Sequence, residues 1–485
     1  MSSSTRYIAE WSGRPAREIL AGMVGTFALI PEVIAFSFVA GVDPQVGLYA
    51  SFIIGIVIAF CGGRPAMISG AAGSVALVAA ALVHGYGLQY LLAATLLAGA
   101  IQVVFGLLRL EVLMRFVSRS VRTGFVNALA ILIFSAQLPQ MLDVSWHTYA
   151  MIALGLAIIY LAPRVTTAVP SPLICIVVLT AIAALVPMPL RTVADLGRLP
   201  DALPSLLLPH VPATLATLRI IAPYALAMAM VGLLESMMTA SVVDDLTETT
   251  SSKRQECVGL GLANVAAGLF GGIAGCGMIG QTVGNIRYGG RGRLSTLVAG
   301  LFLLLLMVAL RPWIARVPVA ALVAIMIMVS VSTFSWTSLR TLLTHPKVSS
   351  VVMLATVAVV VATRDLALGV CVGVLLSGVF FAFKVMRLMQ VSNELDPATG
   401  ERVYTVTGQV FFASADMFAD SFDLRDTAPR VRIDLSHAQL WDVTAVAALE
   451  GVVDKMRRHG QEVELVGLNE ASAVLLDRHS QIGPV

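Results

Sequence analysis

Residues 71–84 read AAGSVALVAAALVH and residues 277–288 read GMIGQTVGNIRY, and these two glycine-broken stretches carry the most information about the fold. Both are apolar, yet both are shorter than the roughly 20 residues that a helix needs to cross a bilayer. Gly/Ser-rich chain precedes the first and Gly/Cys-rich chain precedes the second. The two stretches therefore predict broken helices inside a larger membrane bundle.

The composition supports a membrane protein. Hydrophobic residues make up 58% of the 485 residues and charged residues only 13%, whereas soluble chains have about 45–50% and about 25%. The excess of apolar side chains must face lipid. A net charge of +3 gives no reason to expect nucleic-acid binding. The N-terminus shows no pattern of a signal peptide.

Longer apolar runs flank the two broken stretches. We expect about fourteen segments in all, and the broken ones are the third of the first seven and the third of the second seven. The predicted segments lie at roughly 19–40, 46–61, 71–84, 88–108, 121–138, 148–162, 173–187, 220–240, 258–273, 277–288, 294–310, 317–333, 348–363 and 366–386.

The basic residues predict the orientation. If the N-terminus is cytoplasmic and every segment crosses in turn, 18 Lys and Arg residues fall in inner loops and 6 fall outside. Cytoplasmic loops carry this excess. We therefore expect a multi-pass protein with both termini in the cytoplasm.

The pattern changes near Asn393, where charges become frequent and apolar runs shorten. Strands at 403–412, 430–435 and 462–467 and helices at 443–458 and 469–478 predict a small α/β domain. Asp442, at the start of the first of these helices, is expected to be its N-cap.

Matching broken segments in two halves indicate an inverted repeat with a binding site at the midplane. Free N–H groups and the positive end of the dipole at each helix N-terminus favour an anion there. The alternative is that the glycines only permit close helix packing.

Two glutamates interrupt predicted spans: Glu32 in FALIPEVIAF and Glu235 in MVGLLESMMTA. A carboxylate in a span costs several kcal/mol unless it is protonated, paired or facing water. Each is therefore either functional or a structural partner of a neighbouring helix. Asp244 and Asp245 stand near a helix end and are expected at the interface.

Several long motifs resemble the sulfate permease family (SulP, solute carrier family 26). They are IPEVIAFSFVAGVDPQVGLYAS, ESMMTASVVDDLTETTSSKRQE and GLGLANVAAGLFGGIAGCGMIGQTVGNIRYGGRGRLST. The C-terminal stretch RVRIDLSHAQLWDVTAVAALEGVVDKMRRHGQEVELVGL resembles a STAS domain. The resemblance extends from about residue 15 to about residue 480.

This resemblance implies a polytopic α-helical fold of fourteen segments in two inverted repeats of seven, like nucleobase transporters, plus an α/β STAS domain. A cytoplasmic N-terminal segment would cover residues 1–16, the transport domain 17–390 and a cytoplasmic STAS domain 395–485. Segments 1–4 and 8–11 would form a core group and segments 5–7 and 12–14 a gate group.

The resemblance also implies functional residues. The residues carried over to substrate binding are Glu32 and Phe36 in segment 1, Ala72, Gly73 and Ser74 in segment 3, and Ile279, Gly280 and Gln281 in segment 10. Those carried over to ion coupling are Glu235 and Thr239 in segment 8.

Two positions depart from the family pattern. The family often has Gln where Glu32 stands and Arg where Gln281 stands. Two ionised carboxylates would repel an anion, so we expect proton binding at one or both of the glutamates. Among the family's substrates, which include sulfate, bicarbonate and halides, a dicarboxylate such as fumarate is the preferred prediction.

Secondary active transport is expected because no P-loop GxxxxGK[ST] occurs. The alternatives are a sulfate, bicarbonate or chloride transporter or exchanger, a sodium-coupled symporter, an anion channel, a nucleobase symporter and an intramembrane enzyme. We expect no enzymatic activity, no cofactor and no metal. The five cysteines are expected to be small apolar residues in helices. The resemblance implies a homodimer in the bacterial inner membrane. The coupled ion is expected to be a proton rather than sodium, because an ionised carboxylate at mid-span, such as that of Glu235, is costly and favours the protonated form.

Overall fold

The computed structural model describes residues 3–11, 13–166, 169–186, 188–344, 347–397, 399–426 and 428–479. Parts of the expected N-terminal segment, residues 1, 2 and 12, and the end of the expected STAS domain, residues 480–485, lie outside these ranges. The chain divides into two compact units, Met1–Val374 and Leu375–Val485.

Each of the fourteen predicted segments overlaps a helix. Eight of the described helices are long and apolar enough to cross a membrane. The helices up to residue 386 are α1 (Ser3–Trp11), α2 (Pro15–Val39), α3 (Pro44–Cys61), α4 (Gly73–Tyr86), α5 (Leu88–Leu107), α6 (Arg119–Ser135), α7 (Trp146–Val165), α8 (Ser171–Leu185), α9 (Leu215–Thr247), α10 (Lys253–Leu269), α11 (Ile279–Arg287), α12 (Arg293–Ala309), α13 (Arg311–Ile314), α14 (Val319–Thr333), α15 (Trp336–Thr344), α16 (Lys347–Thr363) and α17 (Leu366–Met386). Short 3-10 helices lie at Leu110–Phe116, Leu138–Met141 and Val193–Leu196.

Most contacts among the described membrane helices lie within the two sets expected as the core group and the gate group, and α2 also contacts α8 and α14. In the core group, α10 packs against α3 and α5, α12 packs against α2 and α3, and α9 packs against α4 and α5. In the gate group, α6 packs against α14 and α16, and α7 packs against α8 and α14. Helices from both halves of the chain therefore contribute to each group.

The most extensive helix contact inside the core group is between α5 and α10. Gly99 and Gly261 face each other, and a Cβ atom on Gly261 would lie 2.6 Å from the Gly99 carbonyl oxygen and 2.6 Å from the backbone nitrogen of Val103. Both atoms belong to the backbone, so no side-chain rotation can relieve the overlap. Only glycine permits this helix separation.

We expect Gly261→Ala to lower the melting temperature of the purified protein by several degrees. Forcing α5 and α10 apart costs about 1–3 kcal/mol in a packed interior. The matched control is Gly25→Ala on α2, where a Cβ atom meets no atom within 4 Å. Thermal unfolding in detergent checks both variants. Equal melting temperatures for the two would contradict the close packing of α5 against α10 at Gly261.

The two broken segments are joined by a two-stranded antiparallel sheet of β1 (Ser69–Ala71) and β2 (Gly275–Gly277). Ser69 pairs with Gly277 and Ala71 with Gly275. All residues of both strands are buried. The strands satisfy each other's backbone polar groups in a place where lipid offers none.

The second unit contains a mixed sheet in the order β3-β4-β5-β6, made of β3 (Gln390–Leu395), β4 (Arg402–Val410), β5 (Arg430–Leu440) and β6 (Glu462–Val466). The strand β3 is antiparallel to β4, and the other neighbours are parallel. Helices α18 (Ala415–Asp420), α19 (Val443–Arg458) and α20 (Glu470–His479) complete it. The predicted strands and helices are present; β3 and α18 were not predicted.

Asp442 is the N-cap of α19, as expected. Its Oδ1 accepts a hydrogen bond from the Ala445 amide at 2.9 Å, and its Oδ2 accepts one from the Phe412 amide at 2.8 Å. Both oxygens therefore have structural partners.

Candidate functional site

Helices α4 and α11 begin directly after β1 and β2. Their N-cap residues, Ala72 and Met278, have extended backbones and no side-chain capping bond. The first N–H groups of each helix therefore remain available to another partner. Since β1 pairs with β2, both positive helix ends are held at the same level of the bundle.

A cavity of about 270 Å³ lies at these helix ends. All eight residues predicted to bind substrate line it, and so does the predicted coupling residue Glu235. The eight are Glu32, Phe36, Ala72, Gly73, Ser74, Ile279, Gly280 and Gln281. The structure thus brings the predicted residues together around one space; their roles stay a prediction.

Glu235 projects from the middle of α9 toward β1 and β2. Its Oε2 accepts hydrogen bonds from the Ser74 hydroxyl and, at 3.2 Å, from the Cys276 thiol. Ser74 lies in the first turn of α4, which follows β1, and Cys276 lies in β2. Both halves of the chain therefore hold the same carboxylate. Cys276 is fully buried and lies in β2 rather than in a helix, which corrects the expectation for this cysteine.

Thr239 is one turn further along α9 and does not line the cavity. It is fully buried, and its hydroxyl lies 2.9 Å from the carbonyl oxygens of both Glu235 and Gly277. The hydroxyl and the two carbonyl groups are oxygen ligands of the kind that a small hard cation prefers.

Glu32 lies on α2 at the other side of the cavity, where its carboxyl interacts with the Gln281 side-chain amide. No arginine, lysine or histidine is among the described residues that line the cavity. Two helix N-termini supply about half a positive charge each, whereas two ionised carboxylates would supply two negative charges. With both carboxyl groups ionised, the charge of this lining would be unfavourable for an anion.

The opposite wall comes from the gate group, and the sequence did not identify it. It is mostly apolar, with two hydroxyl groups at one end. The residues that form it are Phe125, Val126, Leu129 and Ile133 on α6, Pro172 on α8, and Met328, Val329, Ser332 and Thr333 on α14. Spacings of three and four place them on one face of each helix, which is the available sequence signal.

Asp244 is not part of the cavity. It forms ion pairs with Arg64 at 3.1 Å and Lys253 at 2.9 Å near the end of α9. Among the described residues, no group of three or more His, Cys, Asp or Glu side chains is placed to hold a metal ion.

The fold and the cavity between its helices define a multi-pass membrane transporter. The sequence profile of the sulfate permease family matches residues 16–154 and 140–356, and that of the STAS domain matches residues 393–480. The chain belongs to the sulfate permease family, so it is an anion transporter and not an enzyme.

Similar proteins agree with this assignment. The protein YbaR of Bacillus subtilis is 52% identical over 476 residues, which is 98% of this chain and 99% of YbaR. The transmembrane domain of a cyanobacterial bicarbonate transporter, BicA, has a TM-score of 0.65 at 26% identity and covers 75% of this chain and 98% of its own. The murine Slc26a9 anion transporter in the inward-facing state has a TM-score of 0.83 at 18% identity, covering 96% and 87%, and shows a shared fold. The expected fold class is confirmed.

Proposed function

We propose that the protein is a secondary active importer that couples proton binding at Glu235 to uptake of a small anion, with a dicarboxylate such as fumarate as the preferred substrate. The observation that carries this proposal is the charge of the cavity. Two carboxyl groups line it and no described basic side chain does.

Proton coupling follows from electrostatics. An anion that enters between the helix ends meets Glu235, and repulsion disappears when that carboxyl group is protonated. Proton and substrate then bind more tightly together than alone, and by linkage each raises the affinity of the other by the same factor. This mutual effect is what a symporter requires.

The two walls of the cavity support an organic anion. The wall formed by α4 and α11 offers backbone N–H groups, and the wall formed by α6 and α14 is largely apolar. A dicarboxylate has charged ends and an apolar middle, whereas sulfate and bicarbonate are polar all round. The cavity volume of about 270 Å³ is far above the roughly 10–15 Å³ that a single water needs, so a small organic anion has room.

Two relatives suggest the alternative substrates. The name of YbaR assigns it provisionally to sulfate transport, and BicA is named a bicarbonate transporter. Sodium is the alternative coupling ion, since Thr239 and the carbonyl groups of Glu235 and Gly277 meet behind the cavity.

We further propose a homodimer in the bacterial inner membrane with both termini in the cytoplasm. The support is the excess of basic residues in the loops assigned to the cytoplasm, together with the family to which the chain belongs. The core group and the gate group would move against each other in alternating access.

Uptake into proteoliposomes tests the function. We expect labelled fumarate to accumulate in sodium-free buffer when the outside is acidic, and the lumen to acidify with it. Labelled sulfate and bicarbonate under the same gradient are the comparison. Fumarate uptake that does not depend on the pH gradient would refute proton coupling. Strict dependence on sodium would make sodium the coupled ion. Accumulation of sulfate or bicarbonate without accumulation of fumarate would make that anion the substrate instead of fumarate.

A further inference from the structure

We propose that Cys276 is a positioning residue for Glu235, whose thiol fixes one carboxylate oxygen so that the other faces the cavity. This inference rests on the proposed proton coupling and assigns a positioning role to a further residue at the same site. Cys276 does not itself line the cavity, so a direct contact with substrate is not part of the proposal.

Both hydrogen bonds to the Glu235 carboxyl group go to the same one of its two oxygens. The Ser74 hydroxyl and the Cys276 thiol both donate to Oε2, and Ser74 Oγ lies 3.9 Å from Cys276 Sγ. Within the part of the chain that the structure describes, Oε1 has no hydrogen-bond partner. The oxygen Oε2 is therefore the anchored one, and Oε1 is left to receive the proton.

In the part of the chain that the structure describes, no charged group is among the contacts of the Glu235 carboxyl. Glu32 is the other ionisable group on the cavity wall. Helix α5 and strand β2 contribute no charged side chain. The charged residues of the other neighbouring helices stand near helix ends and do not line the cavity: His84 on α4, Lys253, Arg254 and Glu256 on α10, Arg287 on α11, and Arg119 and Arg122 on α6.

The choice of a thiol has a chemical consequence. Donors to a carboxylate stabilise its ionised form, and a thiol is a weaker donor than a hydroxyl. Cys276 therefore supports the ionised form less than a hydroxyl group would, while it still orients the carboxyl group. Loss of the donor favours the protonated form, and a stronger donor favours the ionised form.

The test compares Cys276→Ala and Cys276→Ser with the parent in proteoliposomes, as initial uptake of labelled fumarate against external pH. We expect the pH of half-maximal uptake to rise by about 0.5–1 unit in Cys276→Ala, and to stay or fall in Cys276→Ser. The control is Cys175→Ala, which removes another fully buried thiol, on α8, and should leave the midpoint unchanged.

Equal midpoints in the parent and Cys276→Ala, or a rise of the same size in both variants, would overturn the assignment of Cys276. A parent whose uptake does not depend on pH would instead overturn the proton coupling, and this assignment with it. If Cys276→Ala fails to fold, a variant with Cys276 as its single cysteine replaces it. Its S–H infrared band should then shift over the pH range in which uptake changes, and a band that stays constant would refute the hydrogen bond.

Discussion

Glu235→Gln should abolish accumulation of substrate driven by a pH gradient, while exchange of substrate across the membrane persists. The amide resembles the protonated carboxyl group in shape and charge, and it can still accept the hydrogen bonds of Ser74 and Cys276. It cannot release a proton, so a pH gradient can no longer drive accumulation of the substrate. We expect the ratio of internal to external substrate to fall to the equilibrium value, with counterflow retained.

The matched control for this experiment is Asp245→Asn. Asp245 is an exposed carboxylate ten residues further along the same helix and does not line the cavity. Its removal should leave accumulation at the parental level. If Glu235→Gln accumulates substrate as well as this control, Glu235 is not the coupling residue, and Glu32 becomes the candidate.

Gly280→Leu should reduce transport to background without loss of the folded protein. Gly280 lies in the first turn of α11, and a Cβ atom there meets no atom within 4 Å, since it projects into open space at the cavity. A leucine side chain would fill volume that the substrate needs, while its Cβ atom would meet no neighbouring atom. We expect normal expression, a single size-exclusion peak and no measurable uptake.

Gly284→Leu, one turn further along α11, separates blocking of the cavity from helix effects. A Cβ atom at Gly284 also meets nothing within 4 Å, yet this residue does not line the cavity. Both changes replace a helical glycine by leucine, so their effects on helix propensity should match. Parental uptake in Gly280→Leu would place the substrate elsewhere, and inactivity of both variants would show that α11 tolerates no leucine.

The sequence predicted the membrane helices because their signal is strong and local. Long apolar runs leave few alternatives in a chain with 13% charged residues. The strands β1 and β2 could not be predicted in the same way. Three residues such as Gly275–Gly277 are too short to show an alternation, and their pairing depends on a partner that is distant in sequence. The exposed edge strand β3 was missed because its residues are mostly polar on both faces.

At the site, the sequence singled out residues that are unusual for a span, such as Glu32, Glu235 and Gln281, and the structure places all three at the cavity. The prediction did not extend to residues that are ordinary in their helices. Phe125 and Leu129 on α6 look like any lipid-facing or packing residue, and only the placement of α6 opposite α4 and α11 brings them to the cavity. Cys276 was taken for a packing residue because its hydrogen bond to Glu235 depends on tertiary structure.

The pairing of β1 with β2 also constrains how the protein is made. Gly277 is synthesised 208 residues after Ser69, its partner, which at about 5–20 residues per second takes roughly 10–40 s. Until then the backbone of Ser69–Ala71 has no strand beside it, and unpaired polar groups cannot remain in contact with lipid. The nascent first half must therefore keep this segment in water or against an insertion factor until translation of the second half supplies its partner. Two half-chains produced from separate messages should consequently complement each other in transport, while neither should transport alone.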